Sequence, residues 1–163
     1  MKSRWITALL ILLIAAAGVF QYRRYRVAPS LPLTEGNVLK TDGAAFSLQQ
    51  LNGKTVIIQF FATWCIDCRK ELPQLIELEE LLNDADVDLL LVSDESPATL
   101  LSFKERFDVP FEMLVLTNSF RSNGIYTVPT SYIICPDGKV VFNHVGSVDW
   151  TAGFLRSQLE KCK

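Results

Sequence analysis

The sequence predicts a single α/β domain, built on a central mixed β-sheet flanked by helices and preceded by one N-terminal apolar helix. Apolar β-branched and aromatic runs alternate along the chain with segments of helical periodicity, which is the order typical of α/β proteins. The last two strands are separated only by a Pro-Asp-Gly turn at residues 136–138, so they should form an antiparallel hairpin and make the sheet mixed. At 163 residues, the chain has room for one such domain.

The N-terminal segment is apolar enough to enter a membrane. Residues 5–20 carry no charge, and aromatic residues stand near both ends of the run. We expect residues 1–26 to be an uncleaved membrane anchor, with a signal peptide cleaved after the alanines at 15–17 as the alternative. The positive-inside rule does not orient the segment, because basic residues flank both ends. These residues are Lys2, Arg4, Arg23, Arg24 and Arg26.

Residues 27–37 are predicted to be a tether that leads into a domain over residues 38–163. The segment contains two prolines and has no clear periodicity. At the start of the domain, Gly43 and the Phe46-Ser47-Leu48 run suggest a short hairpin.

The central strand is predicted at residues 55–61, a near-continuous run of β-branched and aromatic residues after an Asn-Gly-Lys turn. Leucine and isoleucine then recur at helical spacing over residues 72–82, with glutamates between them. This pattern predicts one amphipathic helix, which Pro73 should kink.

The second half of the chain continues the alternation. Residues 88–93 form a second apolar run, and Ser96-Pro97 supplies an N-cap followed by proline at the first helical position. The remaining predicted elements are strands at 111–116, 131–135 and 139–145, and a closing amphipathic helix at 150–159.

Two cysteines, Cys65 and Cys68, directly follow the predicted central strand. A helix beginning there would place Cys65 at its N-terminus, where the helix dipole favours a thiolate, and Cys68 one turn in. Cys65 is then the predicted attacking thiol, because it alone should combine exposure with this position, and Cys68 is the resolving thiol. The alternatives are two buried small hydrophobes or half of a zinc site, which would need ligands from Cys135, His144 and Cys162.

The remaining composition argues against several other classes. The net charge of −2 gives no general attraction to nucleic acid, and the chain has no phosphate-binding glycine loop or G-x-S-x-G elbow. No cofactor and no resident metal are implied. A soft-metal chaperone that uses Cys65 and Cys68 to pass an ion is an alternative from another functional class.

The motifs around the cysteines resemble those of the thioredoxin superfamily, and more narrowly those of the membrane-anchored TlpA/ResA-like reductases, some of which act in cytochrome c maturation. The resemblance covers residues 39–159. It rests on the Asn-Gly-Lys turn, the strand ending Phe-Phe-Ala-Thr, the Trp-Cys-x-x-Cys motif, Pro73, Val128-Pro129-Thr130 and the run from Leu91 to Glu95.

The resemblance implies a thioredoxin-like fold and a role for individual residues. Pro129 falls at the family's cis-proline, where Val128 and Trp64 would help to bind the substrate, whereas the alternative is an ordinary proline at a strand start. Glu71 matches the acidic residue beneath the thiols, whereas the alternative is a solvated glutamate on the helix face. Gln59 replaces the buried aspartate of thioredoxins, so Glu71 is the better candidate for proton handling.

The residue between the cysteines indicates the direction of the reaction. A negative charge at Asp67 opposes the Cys65 thiolate and makes the pair reducing. We therefore expect a reductase of disulfides in exported client proteins, regenerated by a membrane electron donor, with a disulfide-forming oxidase as the alternative. A peroxide-reducing enzyme would require proline in place of Ile58.

Thiol chemistry also favours a location for the domain. Disulfides form and need managing outside the cytoplasm, so we expect a membrane-anchored protein with an extracytoplasmic, periplasmic-side domain. Secretion after signal cleavage is the alternative.

The resemblance offers no role for Cys135 and Cys162. Cys135 ends a strand at the hairpin turn, and the closing helix doubles back, so both residues should lie at the same end of the sheet. In an oxidising compartment they could form a structural bridge. The interpretation preferred from the sequence is that Cys135 is a buried small hydrophobe and Cys162 frays with the terminus.

Overall fold

The computed structural model describes residues 2–34 and 36–163, with side chains from residue 5 onward. Helix α1 (Lys2–Arg26) comes first, and an 18-residue window within its part from Trp5 to Arg26 has a mean hydropathy of 2.0. The helix is long and apolar enough to cross a membrane and fits either an anchor or a signal segment. The side chains of Lys2 and Arg4, on which the balance of flanking charge depends, lie outside the described residues.

A six-stranded mixed sheet forms the centre of the domain, in the order β1-β4-β3-β2-β5-β6. Strand β2 pairs in parallel with β3 and antiparallel with β5, and β3 pairs in parallel with β4. The outer strands β1 and β6 are antiparallel to their neighbours, so the predicted mixed sheet is confirmed. The strands are β1 (Val38–Lys40), β2 (Thr55–Phe60), β3 (Val87–Ser93), β4 (Glu112–Leu116), β5 (Thr130–Ile134) and β6 (Val140–Val145).

Four further helices pack around the sheet, and their signals in the sequence are partly confirmed. Ser96 caps the third of them through its side chain, and Pro97 is the first residue of that helix, as predicted. The helices are α2 (Ile66–Glu77), α3 (Glu79–Asp84), α4 (Pro97–Phe107) and α5 (Ala152–Leu159).

The prediction of one amphipathic helix at 72–82 is wrong in one respect, because the chain forms two helices there, α2 and α3. Pro73 lies inside α2, but the break falls at Leu78, whose N–H bonds to the Leu75 carbonyl in a tighter turn. Leucines from both helices, including Leu75 and Leu82, are buried in the same core. The apolar periodicity therefore continues across a break that it does not reveal.

Apolar side chains fill both faces of the sheet. Along β2, Ile57 contributes to one cluster, whereas Val56, Ile58 and Phe60 contribute to the other, as the alternation of a strand requires. Leu33, which lies in the predicted tether, is only 7% exposed and packs in the second cluster. Part of that tether therefore covers one face of the sheet.

Cys135 and Cys162 form a disulfide, with 5.1 Å between their Cα atoms. The expectation that Cys135 is an isolated buried residue and that Cys162 frays is therefore wrong. After α5, a short 3-10 turn at Glu160–Cys162 brings the last cysteine beside the β5–β6 turn. The two thiols meet because the hairpin and the closing helix end at the same edge of the sheet.

Candidate active site

Cys65 and Cys68 lie at the junction between the end of β2 and the start of α2. Cys65 is the N-cap of α2 and is joined to Cys68 by a disulfide, with 5.3 Å between their Cα atoms. The Cys68 backbone N–H points at Cys65 Sγ from 3.2 Å. This is the predicted strand-to-helix junction at the carboxyl edge of the parallel strands, where open α/β folds place their sites.

Exposure does not distinguish the two thiols as expected. Cys65 is 6% exposed and Cys68 is 5% exposed in this oxidised form. Their positions do distinguish them, because the Cys65 sulfur receives the backbone N–H at the helix start and also faces the neighbouring loop. In the reduced protein, the same N–H would stabilise a Cys65 thiolate.

The loop opposite the disulfide contains the predicted cis-proline. The Val128–Pro129 peptide is cis, and the Val128 carbonyl oxygen lies 3.6 Å from Cys65 Sγ. Thr130, the next residue, pairs with Phe60 at the end of β2, which brings this loop beside the cysteines. The isomer and the position are confirmed, whereas substrate contact by Val128 and Pro129 stays a prediction.

A cavity of about 290 Å³ lies between Trp64, the residue before Cys65, and the loop that contains Val128. Trp64 forms one wall and is 66% exposed, so it is available to a partner. The lining of the cavity is mainly apolar and aromatic, which suits an extended client segment that contains an apolar side chain. The lining residues are Trp64, Phe120, Ile125, Tyr126, Thr127 and Val128.

Glu71 is buried beneath the disulfide, at 3% exposure, so it is not a solvated helix-face glutamate. Its Oε1 accepts the Val148 N–H at 2.6 Å, and its Oε2 accepts the Trp150 indole N–H at 3.3 Å. The side-chain amide of Gln59 also donates to Oε2. Donors from strand β2 and from the loop between β6 and α5 thus hold one carboxyl group in place.

Burial raises the pKa of the Glu71 carboxyl above its ordinary value, and the hydrogen bonds from Val148, Trp150 and Gln59 only partly oppose this. Glu71 stands three residues after Cys68 on α2, so the two side chains lie on the same helix face. A carboxyl with a raised pKa stays protonated to a higher pH than an ordinary glutamate, whereas the Gln59 amide cannot titrate.

The charge on Asp67 lies at the surface. Its Oδ1 is 3.1 Å from Lys70 Nζ, one turn along α2, and both side chains are largely exposed. Water and Lys70 therefore offset part of the repulsion between Asp67 and a Cys65 thiolate.

Two carboxylates at the site were not singled out from the sequence. Glu95 accepts both the backbone N–H and the hydroxyl of Thr63 at 2.7 Å, which fixes the loop leading into Cys65. Asp94 accepts the Phe120 N–H at 2.8 Å on the cavity side. Both follow β3, the parallel neighbour of β2, and this topology is the signal that could have identified them.

The described residues offer no ready metal site. Within residues 2–34 and 36–163, no three side chains of the histidine, cysteine, aspartate or glutamate type stand together as ligands. The additional zinc ligands considered from the sequence are not at the site, because Cys135 and Cys162 are bonded to each other and His144 lies on β6.

Comparison with known proteins agrees with this geometry. The family model described as AhpC/TSA matches residues 26–143. Thiol-disulfide oxidoreductase ResA of Bacillus cereus (strain ZK / E33L) is 30% identical, over 98% of this chain and 97% of its own length. Thioredoxin-like protein YneN of Bacillus subtilis is 31% identical, over 91% of this chain and 93% of its own.

Solved structures show the same fold. The pneumococcal exposed lipoprotein thioredoxin Etrx1 superposes with a TM-score of 0.63 and 25% identity, covering 78% of this chain and 99% of that one. StoA from Bacillus subtilis superposes with a TM-score of 0.62, covering 80% and 99% of the two chains. The chain therefore belongs to the AhpC/TSA family and, within the thioredoxin superfamily, is a ResA-like thiol-disulfide oxidoreductase.

Proposed function

We propose that this protein works as a reductase, passing two electrons from the Cys65–Cys68 dithiol to disulfides of exported client proteins. The Cys65 thiolate attacks one sulfur of the client disulfide, which forms a mixed disulfide and releases the other client sulfur as a thiolate. Cys68 then attacks Cys65 Sγ, which releases the second client thiolate and leaves Cys65 and Cys68 oxidised. The two client thiolates take up protons, so the client is reduced by two electrons.

The site supports each step with a defined group. The helix N-terminus at Cys65 favours the attacking thiolate, and the cavity beside Trp64 and Val128 can hold the client segment. Glu71 is buried, has a raised pKa and stands three residues after Cys68 on α2, which supports a role in exchanging a proton with Cys68 as it becomes the second nucleophile.

The observation that carries the reducing direction is the acidic and acceptor character around Cys65. Asp67 follows it by two residues, and the Val128 carbonyl oxygen lies 3.6 Å from its sulfur. Both disfavour the negative charge of a thiolate and so disfavour the reduced pair, although Lys70 offsets part of the effect of Asp67. The helix N-terminus acts in the opposite sense, which keeps a disulfide-forming oxidase as the second candidate.

The reduction potential of the Cys65–Cys68 pair decides between the two directions. It is measured by equilibrating the purified protein with dithiothreitol or glutathione mixtures and quantifying the free thiols. We expect a value nearer to that of thioredoxin, about −270 mV, than to that of the oxidase DsbA, about −120 mV. A value above about −180 mV would contradict the reductase proposal, because such a pair would oxidise typical clients.

The proposed setting is a membrane-anchored protein with an extracytoplasmic, periplasmic-side domain. A membrane electron donor would return Cys65–Cys68 to the dithiol after each turnover, and apocytochrome c is one client that fits the chemistry. The Cys135–Cys162 disulfide supports an oxidising compartment. Labelling intact cells with a membrane-impermeant maleimide after mild reduction tests the side: labelling of Cys65 supports it, and protection until lysis contradicts it.

A further inference from the structure

The end of the apolar N-terminal helix is packed against the loop that carries the cis-proline. The Arg24 guanidinium lies 4.3 Å from the centre of the Tyr126 ring, which is cation–π geometry. The Tyr25 ring meets the Tyr126 ring edge-on at 5.8 Å, and the Thr127 hydroxyl donates to the Tyr25 carbonyl oxygen at 3.3 Å. Three contacts thus join the last turn of α1 to two neighbouring residues of this loop.

The chain that follows the helix is also held. The Tyr132 hydroxyl donates to the Pro29 carbonyl oxygen at 2.9 Å, and Leu33 is buried in the core. Between Arg24 and Leu33 the chain therefore packs against the domain. A flexible tether would lack these contacts.

This packing sets a short path from the helix to the redox sulfurs. Thr127, which contacts Tyr25, is followed directly by Val128, whose carbonyl oxygen is 3.6 Å from Cys65 Sγ. At about 3.8 Å between successive Cα atoms, Cys65 Sγ lies within roughly 15 Å of the Tyr25 backbone. The active edge of the sheet is therefore the edge nearest to the helix.

The helix fixes where that edge stands relative to a bilayer. The 18 residues from Trp5 to Tyr22, which precede the arginines, span about 27 Å, close to the thickness of a hydrocarbon core of about 30 Å. The three arginines of the last turn then lie at the headgroups, which they suit by charge.

We propose that α1, docked through Arg24 and Tyr25 on Tyr126 and Thr127, holds the Cys65–Cys68 edge of the domain against the membrane surface. The protein's redox partners are then proteins that present their cysteines at that surface, and disulfides far out in solution are poor partners. This inference rests on the proposed membrane anchor, but it does not depend on the direction of electron flow.

The surface around the Cys65–Cys68 disulfide carries exposed apolar and aromatic side chains that suit a position at the membrane surface. Trp64 is 66% exposed and Ile66 is 61% exposed, one on each side of Cys65 in the chain. An indole with one polar atom on an apolar ring suits the headgroup region of a bilayer. The β5–β6 turn at 136–138 lies at the other end of β5, about 17 Å along the strand, and should face away from the membrane.

Paramagnetic relaxation in nanodiscs tests this placement. The full-length oxidised protein is reconstituted with a small fraction of lipid that carries gadolinium on its headgroup, and amide relaxation is recorded by NMR. We expect the amides of residues 64–67 and 126–128 to relax several-fold faster than those of Asp137 and Gly138. Equal enhancement at both ends, or stronger enhancement at Asp137 and Gly138, would overturn the proposal.

Two variants separate docking from simple attachment. Eight Gly and Ser residues inserted between Arg26 and Val27 keep the anchor but allow the domain to tumble, so the difference between the two ends should disappear. The double variant Arg24→Ala with Tyr126→Ala should weaken the difference. Arg23→Ala, which removes an exposed arginine of the same turn, should leave the difference intact. A loss in Arg23→Ala equal to that in the double variant would mean that charge alone orients the domain.

A kinetic measurement keeps this proposal apart from the proposed function. The insertion variant should reduce a soluble disulfide peptide at the wild-type rate. It should be slower than wild type towards the same peptide held directly at the bilayer by a lipid chain. Failure of both proteins to reduce either peptide would reject the reductase proposal while leaving the NMR result to decide the orientation. Equal rates of both proteins with the lipid-linked peptide would reject the functional part of the positioning proposal.

Discussion

The two disulfides of this protein are the same bond in contrasting surroundings. Cys65–Cys68 joins residues three apart in the sequence at a helix N-terminus, near a loop, a cavity and a buried carboxyl group. Cys135–Cys162 closes a separation of 27 residues and joins the β5–β6 turn to the last turn of the chain. Strands β2 and β5 run between them, so the bonds lie at opposite ends of the sheet.

The contrast shows which features make a disulfide reactive rather than structural. A nucleophilic thiol needs a group that stabilises its thiolate, a surface that receives a partner and a group that handles protons. The Cys65–Cys68 end has a candidate for each, in the helix N-terminus, the cavity beside Trp64, and Glu71. The other bond closes a long loop, so its main effect is to restrict the unfolded chain.

The largest expected effect is the loss of activity on replacing Cys65, which removes the reactive disulfide and leaves the structural one intact. Cys65→Ser should abolish disulfide reduction, because the thiol at the helix N-terminus is lost and Cys68 alone cannot complete the two-step exchange. Cys68→Ala should accumulate mixed disulfides with clients, which non-reducing gels and mass spectrometry detect. Mixed disulfides formed by Cys65→Ser but not by Cys68→Ala would reverse the assigned roles.

Removing the second disulfide should affect stability and leave turnover unchanged. The double variant Cys135→Ala with Cys162→Ala should lower the free energy of unfolding by about 3 to 4 kcal/mol, the value expected for closing a loop of this length. Denaturant titration measures the loss, and insulin reduction serves as the activity control. Loss of activity in a folded double variant would show that the two ends of the sheet are coupled.

Glu71→Gln should slow thiol exchange by roughly a hundredfold, the lower end of what a positioned acid or base contributes. The matched control is Glu77→Gln, an exposed glutamate on the same helix, which should change nothing. The measurement is the pH profile of Cys65 alkylation in the reduced protein. Matching profiles for wild type and Glu71→Gln would remove Glu71 from proton handling.

The same substitution should change how stability depends on pH. Burial makes the folded-state pKa of Glu71 higher than its unfolded value, so folding favours the protonated form. That contribution is fully present below the ordinary pKa of 4.5 and is lost as the pH rises through the raised folded value. The unfolding free energy of wild type relative to Glu71→Gln should therefore fall with rising pH, and Glu77→Gln should show no such trend.

The smallest expected effect is that of Asp67→His, which changes the reduction potential of the Cys65–Cys68 disulfide and does not alter the Cys135–Cys162 disulfide. Removing a negative charge beside Cys65 stabilises its thiolate, so the reduction potential should rise by about 30 mV, which is a tenfold change in the equilibrium constant. Asp67→Asn is the matched control, and it should give a smaller rise in the same direction. An unchanged potential in both variants would show that water and Lys70 fully screen this carboxylate.

The sequence by itself determined the features that short-range interactions encode. The β-branched run of β2, the Cys-x-x-Cys motif at the helix start and the Ser96-Pro97 cap all depend on neighbouring residues, and the structure has each of them. The mixed character of the sheet followed from the order of those local elements, whereas the order of the strands is seen only in the structure.

Only the tertiary structure decided which of two chemically reasonable environments a residue occupies. Glu71 sits on a helix whose periodicity fits both burial and exposure, and contacts with Val148 and Trp150, distant in the chain, bury it. Cys135 and Cys162 are joined because two elements end at the same edge of the sheet, and Tyr126 receives Arg24 because an apparent tether packs on the domain. Such contacts link residues that no local pattern connects, so their energy depends on the assembled fold.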